Sequence, residues 1–345
     1  MRNGTGTLPG LNLVALRTYL GNRLPGGLRG GLSAELIAGG RSNLTYLLDD
    51  GRQRWVLRRP PLGHVLETAH DMGREYQVLS ALAPTPVPVP RTFLFCTDQS
   101  VIGVPFYLME YAEGTIYRTA EQLGHVGPET GQAVADALVD TLAVLHDIEP
   151  ARVGLSDLGR ADGYLERQVR RWGKQLAASR SRDIPGIAQL GERLAQGLPR
   201  SSRTTLVHGD YRLDNVVLEE HAGKPRVRAV LDWEMATIGD PLTDLASMLV
   251  WWDGIAGLNS PVAAVPGEWP AFPPGSRLLE RYAADLDVAV GTMGWYVGFA
   301  YYKVAAIFES IHFRDLRGQT VGGGFDLLAG LVGPLVARGH QALDG

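Results

Sequence analysis

Three polar side chains on two neighbouring apolar segments are placed to do chemistry. Asp210, Asn215 and Asp232 lie between Leu206 and Met248, in LVHGDYRLDNVVL and RAVLDWEMATIGDPLTDLASM, with a short polar spacer between the two. Phosphoryl transfer needs such a set: one carboxylate faces the accepting hydroxyl, while an amide and a second carboxylate hold the magnesium that bridges the nucleotide's phosphates. Asp210 and Asn215 stand five apart, the base-to-amide interval of a kinase catalytic loop, with Gly209 where that loop usually has Arg. Val216–Val217–Leu218 and the run from Val227 to Leu231 read as a hairpin that returns Asp232 to Asn215. Taken singly, each is weak: a lone His-x-Asp arises by chance, and an Asp after a buried strand can be only a turn residue.

HGDYRLDN followed by LDWEMATIGDPLTDLA resembles the aminoglycoside phosphotransferase and choline-kinase-like family, relatives of protein kinases that phosphorylate small molecules. Within it, GGRSNLTYLL, WVLRRPP, the Asp-Trp-Glu triplet and WYVGFAYYKVAAIFESIHFR are most similar to the branch found fused to, or encoded beside, acyl-CoA dehydrogenases. The resemblance spans about Leu13 to Arg314. It implies an α+β bilobal protein-kinase-like fold, with a small β-rich N-lobe and a larger, mainly helical C-lobe. It also implies ATP and Mg2+ as nucleotide and metal.

The elements that must position these groups follow in chain order. Residues 1–25 read as a tail and a short helix, with Leu13, Leu16 and Leu20 at helical spacing. Residues 26–111 read as the nucleotide-binding lobe and 112–345 as the helical lobe with the catalytic loop and acceptor site. Glu35–Ala38 and Leu44–Leu48 read as strands around Gly39, Gly40, Arg41, Ser42 and Asn43. Glycines at such a tip let backbone amides approach phosphate, though a Gly-Gly hairpin can equally be just a hairpin. Arg58, in the strand Trp55–Arg58, stands where kinases place a phosphate-gripping lysine. The opposing reading of Arg58 and Arg59 is a solvated pair at a strand end. Glu75, on a helix ending at Leu82, is the candidate partner of Arg58, or else an exposed helical glutamate. By resemblance to kinase hinges, the Glu110 carbonyl and Ala112 amide would hydrogen-bond adenine.

In the second lobe a helix over Ala133–His146, an Arg-rich amphipathic helix over residues 162–180 and helices over Leu278–Asp287 and Trp295–Phe313 are expected, before a last short apolar helix. His146 and His208 read as bracing residues. Asp240–Pro241 has the form of an N-cap with proline at N1. Asp244 resembles a family position that supports the loop.

Composition excludes several classes. With 345 residues, 45% hydrophobic and 20% charged, the chain has the make-up of an ordinary globular protein. A net charge of −4 leaves no basic footprint for nucleic acid. The single cysteine, Cys96, rules out an internal disulfide. No signal peptide is read at the start, and no apolar run reaches the about 18 residues of a membrane span, so a cytoplasmic protein with no membrane partner is expected. Oligomeric state is not legible. The acceptor is expected to be a hydroxylated small molecule. Acids after Asp244 are scattered and aromatics plentiful, which disfavours an aminoglycoside-type polycation and, with the resemblance, points to a hydroxyacyl-CoA or hydroxy acid. Two other readings stand beside it: an aminoglycoside-type antibiotic kinase, and a nucleotide-binding regulator without turnover.

Overall fold

The computed structural model describes residues 8–37, 43–62, 71–201, 203–259, 264–286, 293–318 and 325–345. Gly39, Gly40, Arg41 and Ser42 of the expected phosphate loop lie outside them. The chain divides into two units, Met1–Glu113 with Ala229–Glu234, and Gly114–Arg228 with Met235–Gly345.

The first unit begins with α1 (Leu13–Arg23), capped by the Asn12 side chain, which accepts from the Ala15 amide at 3.1 Å. Leu16 and Leu20, one turn apart, are wholly buried, and truncating either to Ala would cost about 2–5 kcal/mol. They pack on a sheet of β1 (Ser33–Leu36), β2 (Leu44–Asp49), β3 (Arg54–Arg59), β4 (Thr92–Cys96) and β5 (Phe106–Glu110), with α2 (Met72–Leu82) before β4 and the short α3 (Gln99–Ile102) after it. The strand order is β1-β2-β3-β5-β4, antiparallel at every pairing. β3 lies at the centre and is covered on both faces, so Arg58 and Arg59 are both buried. That excludes the solvated-pair reading. Arg59 donates to the Pro60 carbonyl at 3.1 Å and to that of Gly10.

The second unit contributes α4 (Ala120–Gly124), α5 (Pro128–His146), α6 (Tyr164–Ala178) and α7 (Ile187–Gln196). Then come β6 (Thr205–Val207), β7 (Val216–His221), β8 (Lys224–Val230), whose last two residues group with the first unit, and β9 (Thr237–Gly239). Helices α8 (Leu242–Leu249), α9 (Gly275–Leu286), α10 (Met293–Leu316) and α11 (Phe325–Asp344) complete it. β6 pairs antiparallel with β9, and β7 with β8. The two-residue turn between β7 and β8 holds Ala222 at φ 52 and Gly223 at φ 77, the left-handed pair that a tight hairpin requires. Trp295, Phe299 and Tyr302 of α10 are buried, so the aromatic stripe is core.

Two helix expectations need correction. α8 starts at Leu242 rather than with Pro241 at N1, although the Asp240 carboxylate still accepts the Leu242 amide at 3.0 Å. α11 is 20 residues long and runs through Pro334, where a short helix was expected. Packing of α11 along α10 overrides that local breaker. No helix among the described residues is long and apolar enough to cross a membrane.

Candidate active site

In the first unit the site is built around Arg58. β2 and β5 flank it on β3, opposite Thr45 and Tyr107. Its Nη1 meets Glu75 Oε1 of α2 at 2.8 Å, and its Nη2 meets Asp232 Oδ1 at 2.9 Å and Glu234 Oε2 at 4.0 Å. α2 is held at its start by Asp71, whose side chain accepts the Arg74 amide at 3.0 Å. Asp232 follows β8 with φ 67, a conformation that costs a non-glycine residue of order 1 kcal/mol and persists only where neighbours fix it. Buried Trp233 is one such neighbour, donating from Nε1 to the Val230 carbonyl at 2.9 Å. Asn43 is buried and donates to Glu234 Oε2 at 2.9 Å.

One guanidinium thus has three carboxylates within 4.0 Å. Burial opposes the Arg58 charge, but Glu75, Tyr107 and Asp232 outweigh it and hold the group firmly protonated. Glu75 is pushed the other way: burial raises its carboxyl above the ordinary glutamate value, Asp232 adds to the rise, and Arg58 only partly offsets it. Among the described residues no three His, Cys, Asp or Glu side chains converge as a metal site.

In the second unit the site is the loop between β6 and β7, gripped from several directions. Asp244 Oδ2 accepts the His208 amide at 2.6 Å, and Oδ1 accepts the Gly209 amide at 2.8 Å. His146 Nε2 lies 3.3 Å from Asp244 Oδ2, and since a carboxylate only accepts, Nε2 donates. The other ring nitrogen of His146 faces the Tyr282 hydroxyl at 2.5 Å. Burial pushes the Asp244 carboxyl up, but His146 and His208 outweigh it and leave the group below the ordinary value. Gly209 has φ 84, and a Cβ there would stand 2.7 Å from the Met235 carbonyl oxygen. Only glycine fits this position.

Lys303 of α10 is 7% exposed and donates from Nζ to the Gly209 carbonyl. Burial lowers its pKa, opposed by the charges of Asp210 and Asp244. The Asp210 amide donates to His208 Nδ1 at 3.2 Å. The Gly209–Asp210 peptide is thus held at both its oxygen and its nitrogen. Asn215 Nδ2 donates to the Asp210 carbonyl at 2.9 Å and to Asp210 Oδ2 at 3.2 Å. Arg212 sits 3.6 Å from Asp210 Oδ2 and 2.6 Å from Asp214 Oδ2, with its guanidinium 4.2 Å above the Trp251 ring.

The structure brings Arg58, Glu75 and Asp232 into one cluster, joined to Asn43 through Glu234, and brings Asn215 onto Asp210. Glu110 ends β5 opposite Trp55, and Ala112 lies in the irregular segment beyond it. Sequence reasoning missed Glu234 and Lys303. The Asp-x-Glu spacing after an apolar strand was a usable signal for the first. Nothing in sequence spacing ties Lys303 to a loop 94 residues away.

The sequence profile of the Phosphotransferase enzyme family (APH) matches residues 33–278. The chain is 36% identical over 341 residues to acyl-CoA dehydrogenase family member 11 of Gallus gallus, covering 95% of this chain and 43% of that protein. It thus spans about two fifths of the length of the curated relatives of that name. A crystal structure from Ralstonia eutropha, provisionally named an aminoglycoside phosphotransferase, superposes with a TM-score of 0.81 at 30% identity, covering 96% of this chain and 98% of that one. The fold is shared with a thermostable mutant of aminoglycoside phosphotransferase APH(4)-Ia in ternary complex with AMP-PNP and hygromycin B (TM-score 0.59, 15% identity, 96% and 98% covered). With a small antiparallel-sheet unit, a larger helical unit and a profile match across most of its length, the chain belongs to the phosphotransferase enzyme family.

Proposed function

We propose that the chain transfers the γ-phosphoryl group of ATP to a hydroxyl of a small molecule, with a hydroxyacyl-CoA or hydroxy acid as acceptor. The observation that carries this reading is the two-sided grip on the Gly209–Asp210 peptide, which aims one carboxylate and holds it. Asp210 Oδ2 is engaged by Asn215, which leaves Oδ1 for the acceptor hydroxyl. The hydroxyl oxygen attacks the γ-phosphorus, the bond to the bridging oxygen breaks, and the proton passes to Asp210. Magnesium held by Asn215 and Asp232 would offset charge on the β- and γ-phosphates. Arg58, fixed by Glu75, would hold the α- and β-phosphates, and Gly39–Asn43 would cover them. The Glu110 carbonyl and Ala112 amide would take the adenine. Because the transition state is loose, positioning and electrostatics supply most of the rate.

For the acceptor, the acids that could meet a polycation have other partners. Asp253 accepts the Gly275 amide, Glu268 the Gly257 amide, Glu309 pairs with Arg182 and Glu280 with Arg277. That disfavours an aminoglycoside. A non-catalytic nucleotide-binding role is the second reading, favoured by Arg58 in place of lysine and its hold on Asp232. Incubation with γ-labelled ATP and a panel of hydroxyacyl-CoAs, hydroxy acids and aminoglycosides decides between them. Label in a hydroxyacyl product, lost in Asp210→Asn, is expected. Tight Mg·ATP binding with no labelled product from any acceptor would establish the regulator instead.

A further inference from the structure

The first unit holds a cavity of about 500 Å3 that the proposed phosphoryl transfer does not use. Leu24, Pro25 and Gly27 from the end of α1, Asp50, Arg52 and Gln53 from the β2–β3 turn, and Trp55 on β3 line it, with Arg29 and the start of β4. Three arginines, Arg29, Arg52 and Arg91, stand around it with their side chains exposed. None of the three has an ion-pair partner among the described residues. The one carboxylate in the lining, Asp50, is already taken up by backbone. Its oxygens accept the amides of Arg29 at 3.0 Å, Arg52 at 3.0 Å and Gln53 at 2.8 Å. With three arginines against one carboxylate, the lining carries a net positive charge.

The lining is also aromatic. The Arg91 guanidinium stands over Phe93, 4.5 Å from the ring centre, which helps to order it at the mouth. Trp55 is 3% exposed and its indole Nε1 is buried without a hydrogen-bond acceptor. A buried donor left unmet costs about 1–3 kcal/mol and is rare unless something else satisfies it. Charge and flat apolar surface thus occur in one recess. Its volume falls within the range of small-molecule sites.

We propose that this cavity binds a phosphomonoester carrying a planar apolar body. The dianionic phosphate sits among Arg29, Arg52 and Arg91, which suit its bidentate geometry. The planar body lies against Phe93, with the edge of Trp55 behind it. A bare inorganic anion satisfies the arginines but leaves the aromatic part of the recess unfilled.

Calorimetry on the full chain with 1-naphthyl phosphate, 1-naphthol and inorganic phosphate tests this. Expected is one site per chain for 1-naphthyl phosphate, at least about tenfold tighter than for either fragment. The double variant Arg52→Ser/Arg91→Ser, whose side chains are exposed and whose loss should leave the fold intact, should weaken binding by about tenfold or more. Phe93→Ala, which removes the partly exposed ring, should weaken binding a few-fold; if it fails to fold, the double variant decides alone. Arg58→Ala, which alters the proposed ATP site, should leave the affinity unchanged. No detectable binding, unchanged affinity in the double variant, or a loss that follows Arg58→Ala instead would each overturn the assignment.

Discussion

The two polar clusters of this molecule solve opposite electrostatic problems. Around the Gly209–Asp210 peptide each charge has its complement: Asp244 meets two amides and His146, and Lys303 meets the Gly209 carbonyl near two carboxylates. Around Arg58 the balance is left open, with three carboxylates for one guanidinium and a Glu75 carboxyl displaced upward by burial. A balanced cluster is rigid before anything binds. One unit thus holds its loop carboxylate fixed, while the other keeps a buried glutamate whose ionisation is opposed.

The sharpest way to break this contrast is Asp210→Asn. Turnover should fall by about 10²–10⁴, with Mg·ATP affinity nearly kept, because the base meets the acceptor and not the nucleotide. Wild-type turnover in the purified variant would remove Asp210 from the chemistry. Next comes the support itself. Asp244→Asn removes one acceptor from a buried network and should cost about 3–5 kcal/mol in denaturant unfolding. Lys303→Met leaves the Gly209 carbonyl unmet, at about 1–3 kcal/mol, and should lower turnover while leaving the Michaelis constant for ATP alone. A change confined to that constant would mean Lys303 serves the nucleotide.

Smaller effects are expected from the unbalanced cluster. Arg58→Ala should weaken ATP, and not adenosine, by about 1.5–3 kcal/mol, with partial recovery in Arg58→Lys. Arg59→Ala should lower the melting temperature instead, because its guanidinium ties β3 to Gly10 and Pro60. If Arg59→Ala weakens ATP and Arg58→Ala does not, the phosphate contact belongs to the neighbouring face of the strand.

The smallest effects are the pH dependences, which should run in opposite directions. Asp244 is held below 3.8, so its contribution is complete above that value and is lost as pH falls through its folded value. Glu75 is raised above 4.5, so the folded state binds the extra proton and stability declines as pH rises from 4.5 through the folded value. Thermal melts of Asp244→Asn and Glu75→Gln across pH 3–7 should each lose one of these slopes. If both slopes survive in both variants, other groups set the pH dependence.

Local geometry explains what the sequence disclosed. Asp210 and Asn215 share one turn, and a two-residue turn between apolar strands makes the hairpin behind Asp232, so spacing alone locates them. Arg58 with Glu75 was legible only by analogy, because nothing in a strand and a helix 17 residues apart requires contact. Lys303 was hidden for the same reason that α10 was easy to find: its aromatic periodicity announces core, and a lysine inside it gives no sign of which carbonyl it meets. The length of α11 was misjudged because Pro334 breaks a helix on local grounds, and the face of α10 that overrides it lies elsewhere in the chain.

The scarcity of lysine gives Lys303 a practical use. The chain has three, and the other two, Lys174 and Lys224, are exposed. An amine-selective acylating reagent should modify those two at once and reach Lys303 only when the segment before β7 swings away from α10. The slow phase of modification, read at Lys303 by peptide mass, would then time the opening of the loop that carries Asp210, with no engineered label.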